Sequence, residues 1–106
     1  MHAVLITFDS SASLDELAQP FKEYAEALCE VPGLISKTWI SDGAGRLGGF
    51  HVFRHRSNAD TYLGGDLAAG LVGNPAFTDF QIDRFEVVEE LSVTTGTPTA
   101  ELMSIS

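Results

Sequence analysis

Lys37, Trp39, His51 and Phe53 are the side chains with which this sequence could do chemistry. An imidazole titrates near neutrality and can accept a proton, an ammonium can stabilise a developing anion, and two aromatic rings can hold a planar ligand. All four fall within Val31 to Arg56, VPGLISKTWISDGAGRLGGFHVFRHR, which reads as a β-hairpin. Leu34 to Asp42 is rich in branched and aromatic residues, Gly43 to Gly48 is a glycine-rich connection, and Gly49 to His55 resumes the strand pattern. If Asp42 pairs with Gly48, Trp39 stands opposite His51 and Lys37 opposite Phe53, so the four share one face. A slip of one residue would scatter them. That face is either a pocket, with apolar walls and a few convergent polar groups, or plain packing. In the second case Trp39 and Phe53 fill a dimer core, His51 is hydrogen-bonded within it, and Lys37 snorkels at the rim.

Other constellations are weaker. Gly43 to Gly48 matches G-x-G-x-x-G, but a dinucleotide site needs a helix N-terminus after the loop and a strand follows here, so the glycines serve the hairpin. His51 and His55 are about 13 Å apart along a strand, too far to share a metal, and His2 belongs to another strand. No flavin, haem or stoichiometric metal is therefore expected. Cys29 has no basic neighbour to lower its pKa and reads as a small buried hydrophobe. Arg54-His55-Arg56 is the one basic cluster, and pairing with acids such as Asp60 or Asp66 accounts for it more simply than an anionic ligand.

These residues must be positioned by the rest of the chain. His2 to Phe8 is a short β-branched strand closed by Asp9-Ser10-Ser11. Ser13 with Glu16 makes a capping box, after which Leu14, Leu17, Phe21, Tyr24, Leu28 and Val31 lie along one helical face. Pro20 predicts a kink or a restart, and Pro32-Gly33 ends the helix. Ser57 begins a second helix with Asp60 in its first turn and Ala59, Tyr62 and Leu63 inward. Gly64-Gly65 weakens it, Asp66 to Val72 adds another turn or two, and Gly73-Asn74-Pro75 turns the chain. The last strand spans about Asp79 to Glu89. From about residue 90 to 106 runs a C-terminal extension with Leu102, Met103 and Ile105 available for docking.

The order β-α-β-β-α-β over residues 1–106 is that of a single α+β domain of ferredoxin-like form, with an antiparallel sheet and both helices on one face. In the hairpin, Leu34, Ile40, Phe50 and Val52 have one parity and Ile35, Trp39 and Phe53 the other. Helices can cover only one set, so the other asks for a second copy of the sheet, a homodimer.

At 106 residues with 44% hydrophobic and 20% charged composition, the chain can bury an ordinary core. Its net charge of −9 argues against nucleic acid and anionic membrane surfaces as partners. The lone cysteine and the absence of a basic leader or an apolar run of spanning length suggest a cytoplasmic protein.

Pro32-Gly33-Leu34, Lys37, Trp39, Gly48-Gly49 with the aromatic-rich strand after it, Ala59 and Tyr62-Leu63 together resemble the YdhR-like mono-oxygenases, which are dimeric α+β barrel proteins. Phe85, Val87 and Leu91-Ser92 are similar to that family's last strand and its exit. The resemblance implies a homodimer related to cofactor-independent oxygenases of quinol- or anthrone-like aromatics. In such chemistry the deprotonated substrate reduces dioxygen itself. His51 would then be the base, Lys37 the anion stabiliser, and Trp39 and Phe53 the holders of the ring. The position of His51 is commonly aromatic in similar sequences, a departure from the pattern. Two other readings stay open. One is a non-catalytic protein binding a small hydrophobic molecule in the same cavity. The other is a haem-degrading mono-oxygenase, for which Thr7 stands where an Asn is usual.

Overall fold

The computed structural model describes residues 1–96. The docking expected of Leu102, Met103 and Ile105 lies outside them. Its elements are β1 (His2–Ser10), α1 (Leu14–Leu28), β2 (Leu34–Ser41), β3 (Arg46–Phe53), α2 (Arg56–Leu63), α3 (Asp66–Val72), β4 (Phe77–Glu86) and α4 (Glu89–Thr94). The strands lie in the order β2-β3-β1-β4 with every neighbouring pair antiparallel, the ferredoxin-like α+β arrangement.

α1 starts where its capping box sets it. The Glu16 amide donates to Ser13 Oγ at 3.1 Å and the Ser13 amide donates to Glu16 Oε1 at 3.1 Å. The helix runs through Pro20 without restarting. Pro20 is exposed, so water can take the carbonyl that its missing N–H releases. Cys29 caps the helix and is exposed, not buried as its neighbours suggested. It follows Leu28 by about 100° around the helix and so turns away from the sheet. α2 begins at Arg56, with His55 rather than Ser57 at its boundary. β4 starts at Phe77 and stops at Glu86, and α4 takes up the residues next expected to be strand and tail.

The covered face of the sheet and the helices enclose a core of Val4, Ile6, Phe8, Leu47 and Phe53 against Leu17, Leu28, Ala59, Tyr62 and Phe77. Each large apolar side chain buried in this way contributes roughly 1.5–3 kcal/mol. On the opposite face Leu5 pairs with Phe50 and Ala3 with Phe85, and Ile40, Phe50 and Phe85 are 39%, 39% and 52% exposed. Both parities are indeed apolar. Among the described residues no helix is long and apolar enough to cross a membrane.

Candidate functional site

The hairpin register differs from expectation by two residues. Lys37 pairs with His51 and Trp39 with Gly49, because the turn is Gly43-Ala44-Gly45 and β3 already begins at Arg46. Asp42 Oδ1 accepts from the amides of Ala44 at 2.7 Å and Arg46 at 3.0 Å, which closes the loop early. Gly43 and Gly45 supply the positive φ angles, 76° and 100°, that this tight connection requires. A shift of two preserves parity. Lys37, Trp39, His51 and Phe53 therefore still share the face that looks toward the helices.

Three of the four line one cavity of about 130 Å³ between the sheet and α1. Ile6, Phe8, Phe21, Leu47 and Leu71 give it apolar walls, and Lys37 is its only charged residue among the described residues. Phe53 is the exception. It is fully buried, with its ring centroid 6.3 Å from His51 and 5.7 Å from Tyr62. Two residues farther along β3, it backs the site from the core and does not wall the cavity.

Lys37 Nζ lies 3.5 Å from the Trp39 ring centroid and 5.1 Å from that of Tyr24, a cation held between aromatic faces. Gly49 makes room for its stem. A Cβ there would collide with Lys37 Cε and stand 3.1 Å from His51 Cε1 and 3.4 Å from Lys37 Nζ. Burial brings the Lys37 pKa down to about 8. Trp39, 39% exposed, packs at 5.0 Å from Phe21 and edge-on to Tyr24.

His51 is 1% exposed. Its Nδ1 lies 3.1 Å from the Val4 carbonyl, which can only accept, so Nδ1 carries the proton and donates. Nε2 is thus an unprotonated acceptor, buried and, among the described residues, without a hydrogen-bond partner. Burial first, and then the charge of Lys37, lower the His51 pKa to about 4, against the opposing pull of the Val4 and Gly49 carbonyls. The site therefore combines a neutral base with a cation in a largely apolar hollow. That pairing can accept a proton and hold the anion left behind.

Tyr24 and Tyr62 complete the surroundings, and the motif reading missed both. Their hydroxyls share a hydrogen bond of 2.6 Å, and the Tyr62 ring lies 5.6 Å from His51. Burial raises the pKa of each tyrosine. The available signal was a hydroxyl-tipped ring on the inner face of each helix, which invites a polar partner.

A second ionic chain occupies the same face nearer the start of β1. His2 Nδ1 lies 2.7 Å from Glu86 Oε1, Arg84 Nε donates to His2 Nε2 at 3.0 Å, and Arg84 Nη2 donates to Asp60 Oδ1 at 2.6 Å. Asp60 therefore forms its ion pair with Arg84, and Arg56 of the Arg54-His55-Arg56 cluster acts on it only through its charge. Among the described residues no three His, Cys, Asp or Glu side chains converge as metal ligands do.

A family model described as "Putative mono-oxygenase ydhR" matches residues 4–98. The chain belongs to this family. Solved structures agree at the level of fold. A "putative antibiotic biosynthesis monooxygenase" from Deinococcus radiodurans superposes with a TM-score of 0.68 at 20% identity, covering 84% of this chain and 94% of that one. SnoaB, a cofactor-independent oxygenase from Streptomyces nogalater, gives 0.67 at 13% identity over 83% and 93%. MhuD, a haem degrader from Mycobacterium tuberculosis, gives 0.64 at 21% identity over 83% and 96%. No curated protein matches the chain in sequence. The YdhR fold thus serves several chemistries, and the choice among them rests on the cavity.

Proposed function

We propose that the chain is a cofactor-independent mono-oxygenase of a small electron-rich aromatic molecule, and that it works as a homodimer. The observation that carries this reading is the unpartnered Nε2 of buried His51, which lines a cavity whose only charge among the described residues is Lys37. The acidic proton of a bound hydroxyarene passes to Nε2, and the delocalised anion is held by Lys37 and stacked on Trp39. Negative charge beside Lys37 offsets the charge that depresses His51 and so strengthens the base. The anion reduces dioxygen. A C–O bond forms, the O–O bond breaks, one oxygen stays as a ring carbonyl, and the other leaves as water with two substrate hydrogens. All electrons come from the substrate.

The haem-degrading reading has no comparable support. Thr7 lies on the sheet face away from the cavity, where its Oγ1 accepts from Arg46 Nη2 at 2.8 Å. Dimerisation is proposed through that outer face, where the described residues of a single copy leave Ile40, Phe50 and Phe85 without cover. Sedimentation at micromolar concentration is expected to give a dimer, and a clean monomer removes this part of the reading. Oxygen uptake with a panel of quinols tests the activity. One dioxygen consumed per quinol by metal-stripped, flavin-free protein is the expected result, whereas saturable binding without uptake makes the chain a binding protein.

A further inference from the structure

The cavity's size and its two polar groups narrow the ligand further. This step rests on the cavity being the substrate site. A space of about 130 Å³ is that of one aromatic ring, since an apolar cavity of about 150 Å³ takes up benzene. Among the described residues that line the cavity, no carboxylate answers Lys37, so an anionic group of the ligand is the missing partner. The bare Nε2 of His51 asks for a hydrogen-bond donor, which in the proposed hydroxyarene is the hydroxyl. Lys37 and His51 face each other directly across β2 and β3. Both approach the point where a Gly49 Cβ would stand, with His51 Cε1 at 3.1 Å and Lys37 Nζ at 3.4 Å. Two groups so close together are met by adjacent substituents of a single ring, not by substituents at its opposite ends.

We propose that the cavity takes a monocyclic 2-hydroxyaryl carboxylate, its carboxylate on Lys37 Nζ, its hydroxyl donating to His51 Nε2, and its ring against Trp39. Tricyclic molecules of the anthrone kind exceed a space of this size, and Phe21, Tyr24 and Leu71, which also line a neighbouring hollow, would have to part to seat them fully.

Salicylate, salicylamide, 4-hydroxybenzoate and anthrone serve as probes, with affinity read by titration calorimetry or by Trp39 fluorescence. Salicylate is expected to bind at least about tenfold tighter than each of the other three. Lys37→Met should erase the preference for salicylate over neutral salicylamide while leaving salicylamide affinity within about twofold. Gly49→Ala, which sets a methyl group between Lys37 and His51, should weaken salicylate and salicylamide alike. Equal binding of salicylate and salicylamide by the native chain, an anion preference that survives in Lys37→Met, or 4-hydroxybenzoate or anthrone binding as well as salicylate would overturn the proposal. So would no salicylate binding at millimolar concentration. These outcomes concern binding alone. A chain that binds salicylate as expected yet consumes no oxygen with any hydroxyarene sinks the oxygenase reading and leaves this one standing.

Discussion

His2 and His51 occupy neighbouring strands on the same face of the sheet and are nearly equally closed to solvent, 4% and 1% exposed. Both are fixed as the Nδ1–H tautomer, His51 by the Val4 carbonyl and His2 by Arg84, which can only donate and so must meet a bare Nε2. The difference lies in what Nε2 meets. In His2 it is filled by Arg84, and the chain continues to Asp60 on one side and Glu86 on the other. In His51 it meets no partner among the described residues, and the ring lines a cavity with an unanswered cation. The first histidine fastens β1, β4 and α2 together, whereas the second keeps an acceptor for something that is not part of the chain. A buried acceptor left unpaired costs about 1–3 kcal/mol, and the comparison suggests that this cost is kept for function.

The pH dependence of folding should separate the two most strongly. His51 is lowered from 6.5 to about 4 in the folded chain. Between those values the unfolded state holds a proton that the folded state does not, so stability falls as pH drops through the window. The loss approaches about 3 kcal/mol near pH 4. Asp60 and Glu86, lowered chiefly by their hydrogen bonds to Arg84 and His2, act below the ordinary carboxylate range. Urea denaturation across this range should show the slope in the native chain and a much flatter one in His51→Phe. Equal slopes would mean that His51 is not held neutral by burial.

Next in size is the effect on turnover. His51→Ala should slow oxygen consumption about a hundredfold or more with ligand affinity nearly kept, while His2→Ala should lower stability and leave kcat almost unchanged. If both variants lose activity together, the distinction between a fastening and a reacting histidine fails.

Much of this was legible in the sequence. Strand and helix order followed from hydrophobic period and from the Ser13 and Glu16 capping box, and the apolar outer face from the two strand parities. The shared face of Lys37 and His51 survived a register error of two residues because side chains alternate with period two. What the sequence hid depends on distance in three dimensions. Glu86, Arg84 and Asp60 lie far along the chain from His2, so His2 looked solitary. Gly49 read only as the first residue of the returning strand until Lys37 was seen lying across it. Phe53 read as a pocket wall because its parity is right, although its position along β3 puts it in the core.

The tyrosine pair tests whether the base is held in place from behind. Tyr24→Phe or Tyr62→Phe alone leaves one hydroxyl without its partner and should cost about 1–2 kcal/mol, more for Tyr24→Phe because it strands the more deeply buried Tyr62. The double variant should recover part of that loss, since neither hydroxyl then remains to be satisfied. Chemical denaturation of the four chains measures the coupling, and strictly additive losses would show that the 2.6 Å contact contributes nothing.

Lys37→Met gives the smallest effect, with the opposite sign. The ammonium gains from Trp39 at 3.5 Å, a contact worth about 0.5–2 kcal/mol. Burial works against it, since the pKa falls from 10.5 to about 8. Below pH 8 the folded chain carries a charge that it would hold more easily unfolded. Between about 8 and 10.5 only the unfolded state keeps the proton, so native stability rises with pH across that range. Methionine fills similar space without the charge and retains a contact with the ring. Lys37→Met should therefore stabilise the free protein by about 1 kcal/mol at pH 7, after allowance for the lost cation–π contact. The gain should shrink as pH rises toward 10, where the native lysine is already neutral. A destabilised Lys37→Met at pH 7 would show that the ammonium is held for the fold's sake, as His2 is. Its loss would then say nothing about a ligand.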